Sequence, residues 1–148
     1  MWRLILRTHL ASLGRTVGIL RAVARGEAGR SRVLVVDDEP QVRATVREAL
    51  EYEGYDVREA GTGAEALALL AKGPSDVVVF DLWMPVMDGW EFRRRLLAAY
   101  PRLPVIVLSA LDLPSEKLTE LRADALVSKP FDLEVLYSAL QDVLSRGD

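Results

Sequence analysis

A parallel β-sheet wrapped by helices on both faces is the fold class these residues predict, on three observations. Short, wholly apolar runs recur at Val33–Val36, Val77–Phe80 and Val105–Leu108. Runs that short and that apolar read as strands buried on both faces. Between them lie stretches with apolar residues three and four apart, so strand and helix alternate five times, the pattern of an α/β sheet. The runs also stop abruptly on polar residues, at Asp37, Asp81 and Ser109. Right-handed crossovers put all such strand ends on one edge, where open α/β sheets bind ligands.

The amino-terminal 30 residues stand apart. Leu6, Leu10, Leu13, Val17 and Leu20 share one helical face, with six arginines against Glu27 alone, a net +5. The rest of the chain carries 13 basic and 21 acidic residues, a net −8. The division expected is therefore a basic leader over residues 1–30 and one domain over residues 31–148. Three readings of the leader stay open. It is a loosely ordered or over-extended start, a basic amphipathic helix on an anionic membrane surface or a partner, or a helix that pairs with its own copy through residues 1–25. Arg3, Arg7 and Arg15 interrupt any signal-peptide core. No helix-turn-helix pattern is present, so direct nucleic-acid binding is not expected.

Gly26–Arg30 is small and polar, a linker. After strand one, Asp37-Asp38-Glu39 leads into Pro40, which suits the first turn of a helix. Val42, Val46, Ala49 and Leu50 form its inner stripe, and it stops near Gly54. Tyr55–Ala60 is a short strand with Val57 inward. Thr62 is placed to cap a helix over Ala64–Lys72, stopped by Gly73-Pro74. Val77–Phe80 is the central strand and ends on Asp81. A loop containing Pro85 and closed by Asp88-Gly89 leads to a helix over Trp90–Tyr100. Strand four reaches Ser109. A helix from about Pro114 to Arg122, a strand over Ala125–Ser128, Lys129-Pro130 and a helix over Asp132–Ser145 complete the chain.

Composition narrows the chemistry. At 148 residues, half of them hydrophobic, the chain suffices for one domain with a core. No apolar run approaches the ~20 residues of a membrane span, and the cytoplasm is the default compartment. The absence of cysteine excludes disulfides, thiolate zinc sites and cysteine nucleophiles. His9 is the only histidine, which argues against a Ser-His-Asp site or a histidine metal cluster.

The strand ends gather Asp37 and Asp38, Asp81, Ser109 and Lys129 on one rim. Carboxylates ~5 Å apart repel by about 3 kcal/mol per pair at an effective dielectric of 20. Such a cluster calls for a cation, and an all-oxygen set suits Mg²⁺ with retained waters. Three carboxylates with Mg²⁺ leave a formal −1, which Lys129 brings near zero, ready for a phosphoryl group. Phosphoryl transfer needs positioning and charge neutralisation above all. Asp81, centrally placed, is the candidate nucleophile. Each residue also has an ordinary reading: Asp37–Glu39 as an acidic helix start, Ser109 as a turn hydroxyl, Lys129 as a solvated charge.

Taken together, Val35-Val36-Asp37-Asp38-Glu39-Pro40, the loop Asp81-Leu82-Trp83-Met84-Pro85-Val86-Met87-Asp88-Gly89, Leu108-Ser109-Ala110 and Ser128-Lys129-Pro130-Phe131 resemble the receiver domain of two-component response regulators. The resemblance covers about residues 31–146. It implies a flavodoxin-like (βα)5 fold with strand order 2-1-3-4-5. It implies that Asp81 accepts a phosphoryl group from a histidine kinase or phosphotransfer protein, without being an enzyme in the ordinary sense. It implies Mg²⁺ on Asp38, Asp81 and the Trp83 backbone carbonyl, with Asp37 helping through water. Ser109 and Lys129 then contact the phosphoryl group, the Lys129-Pro130 bond is cis, and the surface of the last two helices and the fifth strand signals to a downstream protein.

Departures from the family pattern are specific. Leu126 stands where an aromatic residue is usual, so the aromatic half of the switch does not carry over. Arg122 stands where glycine is usual. Trp83 and Leu111, two places after Asp81 and Ser109, are bulky, and slow self-dephosphorylation is the expectation. With no output domain expected after residue 148, the expectation is signalling by protein contacts or targeting by the leader. Two other functions compete: a receiver-shaped interaction module that takes no phosphate, and a haloacid-dehalogenase-type, Mg²⁺-dependent phosphatase. The latter wants a second Asp where Trp83 stands.

Overall fold

The computed structural model describes residues 30–110 and 113–146. Five strands and five helices alternate: β1 (Arg32–Val36), α1 (Pro40–Tyr52), β2 (Asp56–Ala60), α2 (Gly63–Lys72), β3 (Val77–Asp81), α3 (Gly89–Ala99), β4 (Val105–Ser109), α4 (Ser115–Leu121), β5 (Ala125–Ser128) and α5 (Leu133–Arg146). The strands form one parallel sheet in the order β2-β1-β3-β4-β5. Every expected element is present, with ends shifted by a residue or so. The readings of residues 1–29 and of Leu111 fall outside the described residues.

Alternation along the strands divides the core in two. Leu34, Val36, Val78, Phe80, Val105 and Val107 face Ala66 and Leu70 of α2, Phe92 and Leu96 of α3, and Leu121 of α4. Val33, Val35, Val77, Val79, Ile106, Leu108 and Val127 face Val46 and Leu50 of α1, and Leu136, Leu140 and Val143 of α5. β3 and β4 are buried along their whole length because both faces are covered. On the first face, Phe80 and Phe92 meet edge to face at 5.2 Å, a favourable ring geometry.

The edge strands explain their own polar residues. Arg58 of β2 donates to the carbonyls of Leu69 and Gly73 and to the Ser75 hydroxyl, satisfying carbonyls that the end of α2 leaves open. At the start of α2, Thr62 accepts from the Glu65 amide, as its place in the sequence predicts. Asp88 plays the same part for α3, accepting from the Glu91 amide. Gly89 is required by space: a Cβ there would lie 2.5 Å from the Leu82 Cα. That contact packs the start of α3 against the strand end that carries Asp81. Arg122, the departure from glycine, has φ 46, a left-handed conformation that glycine adopts most easily.

Candidate functional site

The site lies at the carboxyl edge of the sheet, where β1, β3, β4 and β5 end side by side. Asp37 follows β1 directly, Asp81 is the last residue of β3, Ser109 the last of β4, and Lys129 follows β5. In register, Asp81 pairs with Leu108, and Ser109 with Ser128. The Lys129 amide donates to the Ser109 carbonyl at 2.7 Å, tying the β5 exit to the β4 exit. The Lys129-Pro130 peptide is cis, as the resemblance implies.

Each carboxylate is fixed differently. Asp37 is fully buried and Asp81 is 6 % exposed, while Asp38 is exposed. The Asp37 Oδ1 accepts from the Glu39 amide at 3.0 Å, and the Asp81 Oδ1 from the Trp83 amide at 3.0 Å. Both are side chains bonding to the backbone two residues on, as Asp does in turns. The remaining Oδ2 atoms converge on Lys129, whose Nζ lies 3.0 Å from Asp37 and 2.8 Å from Asp81. Burial lowers the affinity of the Lys129 ammonium for its proton, but the hydrogen bonds it donates to Asp81 and Asp37, and their charges, outweigh it and hold its pKa above the ordinary value. Lys129 is therefore a permanent cation in this site.

One oxygen from each of Asp37, Asp38 and Asp81 lies within 4.8 Å of the others. The set is all oxygen and partly open, a donor group that fits a small hard cation such as Mg²⁺. All three carboxylates and Lys129 thus meet as the strand-end argument requires. Ser109 is buried at the adjoining strand end. Leu126, in place of the usual aromatic, lies partly exposed on the edge strand β5.

Two features of the site escape sequence reading. The loop after Asp81 turns at Val86, which has φ 70 and is fully exposed. The Met87 amide donates to the Pro85 carbonyl across it at 2.9 Å, a tight γ-turn of the rare positive-φ kind. The second is Arg43 of α1, which donates to the Asp37 backbone carbonyl at 2.7 Å. Arg43 reads in sequence as an ordinary helix-surface charge. Only the pairing of β1 with β2, which sets Glu59 beside Val35, brings its partner into place.

A family model, the response regulator receiver domain, matches residues 33–141. The chain belongs to this family. Among curated relatives, the transcriptional regulatory protein TrcR of Mycobacterium tuberculosis is 39 % identical over 133 residues, covering 88 % of this chain and 52 % of its own. The response regulator MprA of Mycobacterium sp. strain KMS is 43 % identical over 117 residues, covering 78 % of this chain and 51 % of its own. The chain spans about half the length of these relatives. Among solved structures, the chemotaxis protein CheY4 of Vibrio cholerae is 37 % identical, with a TM-score of 0.71 over 78 % of this chain and 99 % of that one. The response regulator TrrA of Thermotoga maritima, solved in complex with Mg²⁺ and BeF, is 33 % identical, with a TM-score of 0.70 over 76 % of this chain and 98 % of that one. The receiver's fold is thus the flavodoxin-like arrangement expected from its motifs. Among the described residues, no helix is long and apolar enough to cross a membrane.

Proposed function

We propose that this receiver accepts a phosphoryl group on Asp81 from the phosphohistidine of a sensor histidine kinase or phosphotransfer protein. The observation that carries the reading is the convergence of Lys129 on Asp37 and Asp81 beside a third carboxylate, Asp38. A carboxylate oxygen of Asp81 attacks phosphorus, the P–N bond breaks, and its electron pair leaves with the donor imidazole. Lys129 holds the incoming phosphoryl oxygens, and Ser109 supplies a hydroxyl from the neighbouring strand end. Asp38, Asp81 and the Trp83 carbonyl would hold Mg²⁺, with Asp37 supporting them. When bound, Mg²⁺ neutralises charge on the transferred group.

Phosphorylation then shifts the population of two conformations of the α4–β5–α5 surface, which a downstream protein reads. In this reading the protein is a cytoplasmic signalling component rather than an enzyme with turnover, with residues 1–30 assigned as a leader and residues 31–148 as the receiver. The similar TrrA structure, solved with Mg²⁺, supports the metal assignment.

The test is labelling with acetyl phosphate, read by intact mass. Wild type gains one phosphoryl group only with Mg²⁺, and Asp81→Asn gains none. Labelling that ignores Mg²⁺, or survives Asp81→Asn, refutes the proposal. An unlabelled wild type favours the interaction-module reading, and turnover of phosphomonoesters favours the phosphatase.

A further inference from the structure

We infer that Arg43 is a positioning residue for the acidic pair, setting the geometry in which Asp37 and Asp38 receive a divalent cation. This rests on the reading of the carboxylate cup as a Mg²⁺ site. The two peptides that flank Asp37 are each held by one bond, and Arg43 supplies the one on the peptide leading to Asp38. The Asp37 amide donates to the Ala60 carbonyl at 3.2 Å, and its carbonyl accepts from the Arg43 Nη1 at 2.7 Å. Fixing that peptide plane fixes the direction in which Asp38 leaves the strand, and so the spacing of the two carboxylates.

Arg43 is itself held. Its Nε lies 3.6 Å from the Glu59 Oε1, and Glu59 also binds Arg47. The Arg43 and Glu59 side chains are only 20 % and 24 % exposed, so the pair is sheltered from solvent. A chain of contacts thus runs inward from Glu59 through Arg43, the Asp37 backbone carbonyl, the Asp37 carboxylate and Lys129 to Asp81. The packing leaves room for the guanidinium: a Cβ on Gly61 would lie 3.1 Å from the Arg43 Nη1. Groups one step behind the metal ligands commonly set their orientation.

Two roles make opposite predictions. If Arg43 merely adds positive charge near the cup, removing it eases the approach of a cation and tightens Mg²⁺ binding. If it orients the peptide, removing it weakens binding although a repelling charge has gone.

The experiment is calorimetric titration of the unphosphorylated full chain with MgCl₂, with melting temperature measured in parallel. Arg43→Gln is expected to weaken Mg²⁺ binding about 10-fold, the low end for such supporting groups. Arg43→Lys, which can still reach the carbonyl with one donor, recovers part of the loss. Arg47→Gln removes the same charge one turn away and changes affinity by less than about two-fold, as expected of a screened surface charge.

Arg43→Lys keeps the charge while losing the fork geometry, so binding that is weaker than wild type in this variant decides the matter if Arg43→Gln does not fold. Binding by Arg43→Gln as tight as wild type or tighter overturns the inference. So does equal weakening by Arg47→Gln, or binding by Arg43→Lys as tight as wild type. A wild type that binds no Mg²⁺ overturns the metal-site reading itself, an outcome distinct from these.

Discussion

Replacing Lys129 with methionine keeps the length of the side chain and removes its charge. In the native site that ammonium lies 2.8 and 3.0 Å from two carboxylates and is 18 % exposed. Without it, buried Asp37 and nearly buried Asp81 face each other within the 4.8 Å cluster that also holds Asp38. Two unit charges at that separation repel by about 3 kcal/mol at an effective dielectric of 20. Removing one partner of a buried ion pair costs a similar amount. Lys129→Met is therefore expected to lose about 3 kcal/mol in EDTA. With a urea slope near ~1.5 kcal/mol per M, the unfolding midpoint falls by about 2 M. Saturating Mg²⁺ then restores more stability to the variant than it adds to wild type, because the emptier charge balance attracts the cation more strongly. The assay is urea unfolding followed by circular dichroism, with and without Mg²⁺. An unchanged midpoint in EDTA refutes the reasoning, and so does equal stabilisation of both proteins by Mg²⁺.

Three further outcomes are expected. Gly89→Ala forces its new methyl against the Leu82 backbone, and should cost about 2 kcal/mol by overpacking; an unshifted melting curve contradicts this. Burial first, and the Glu53 charge second, push the Tyr55 phenol up to about 12 from an ordinary 10.0. Its folded-state value is raised, so its contribution is complete below pH 10.0 and is lost between there and about 12, at most about 3 kcal/mol. Tyr55→Phe should flatten that part of the alkaline stability profile, and a profile identical to wild type counts against it. Trp83→Asn opens the rim beside Asp81 to water, and the phosphorylated protein should lose phosphate several-fold faster; unchanged or slower loss excludes a shielding role.

The fold was readable because β1, β3 and β4 hold short, wholly apolar runs closed by polar residues, which makes ends as plain as middles, while β2 was placed by the turns that flank it. Val77–Asp81 is found at the same limits in sequence and structure. Helix ends moved where a cap decided them, as at Asp88, whose bond to the Glu91 amide starts α3 a residue earlier than its apolar stripe suggests. The acidic cup was legible because topology alone brings strand ends together. Lys129 bridging two carboxylates follows from that geometry and from charge. Arg43 was not legible, since its bond to the Asp37 carbonyl depends on how α1 lies against β2, and helix-face arginines look alike in sequence. The Val86 turn was equally hidden, because a branched residue gives no local signal for positive φ.

The helix of the proposed signalling face is secured unevenly. Pro114 precedes α4 without a side-chain cap. At the other end, buried Arg93 of α3 donates to the carbonyls of Leu121 and Arg122 at 2.6 and 2.9 Å. Unwinding that end would strand a guanidinium in the interior, whereas the first turn is held, among the described residues, by the weaker contact of Lys117 with the Trp90 ring. Any swing of α4 is accordingly expected to pivot at its rear, like a gate on a post, with the widest arc at its first turn.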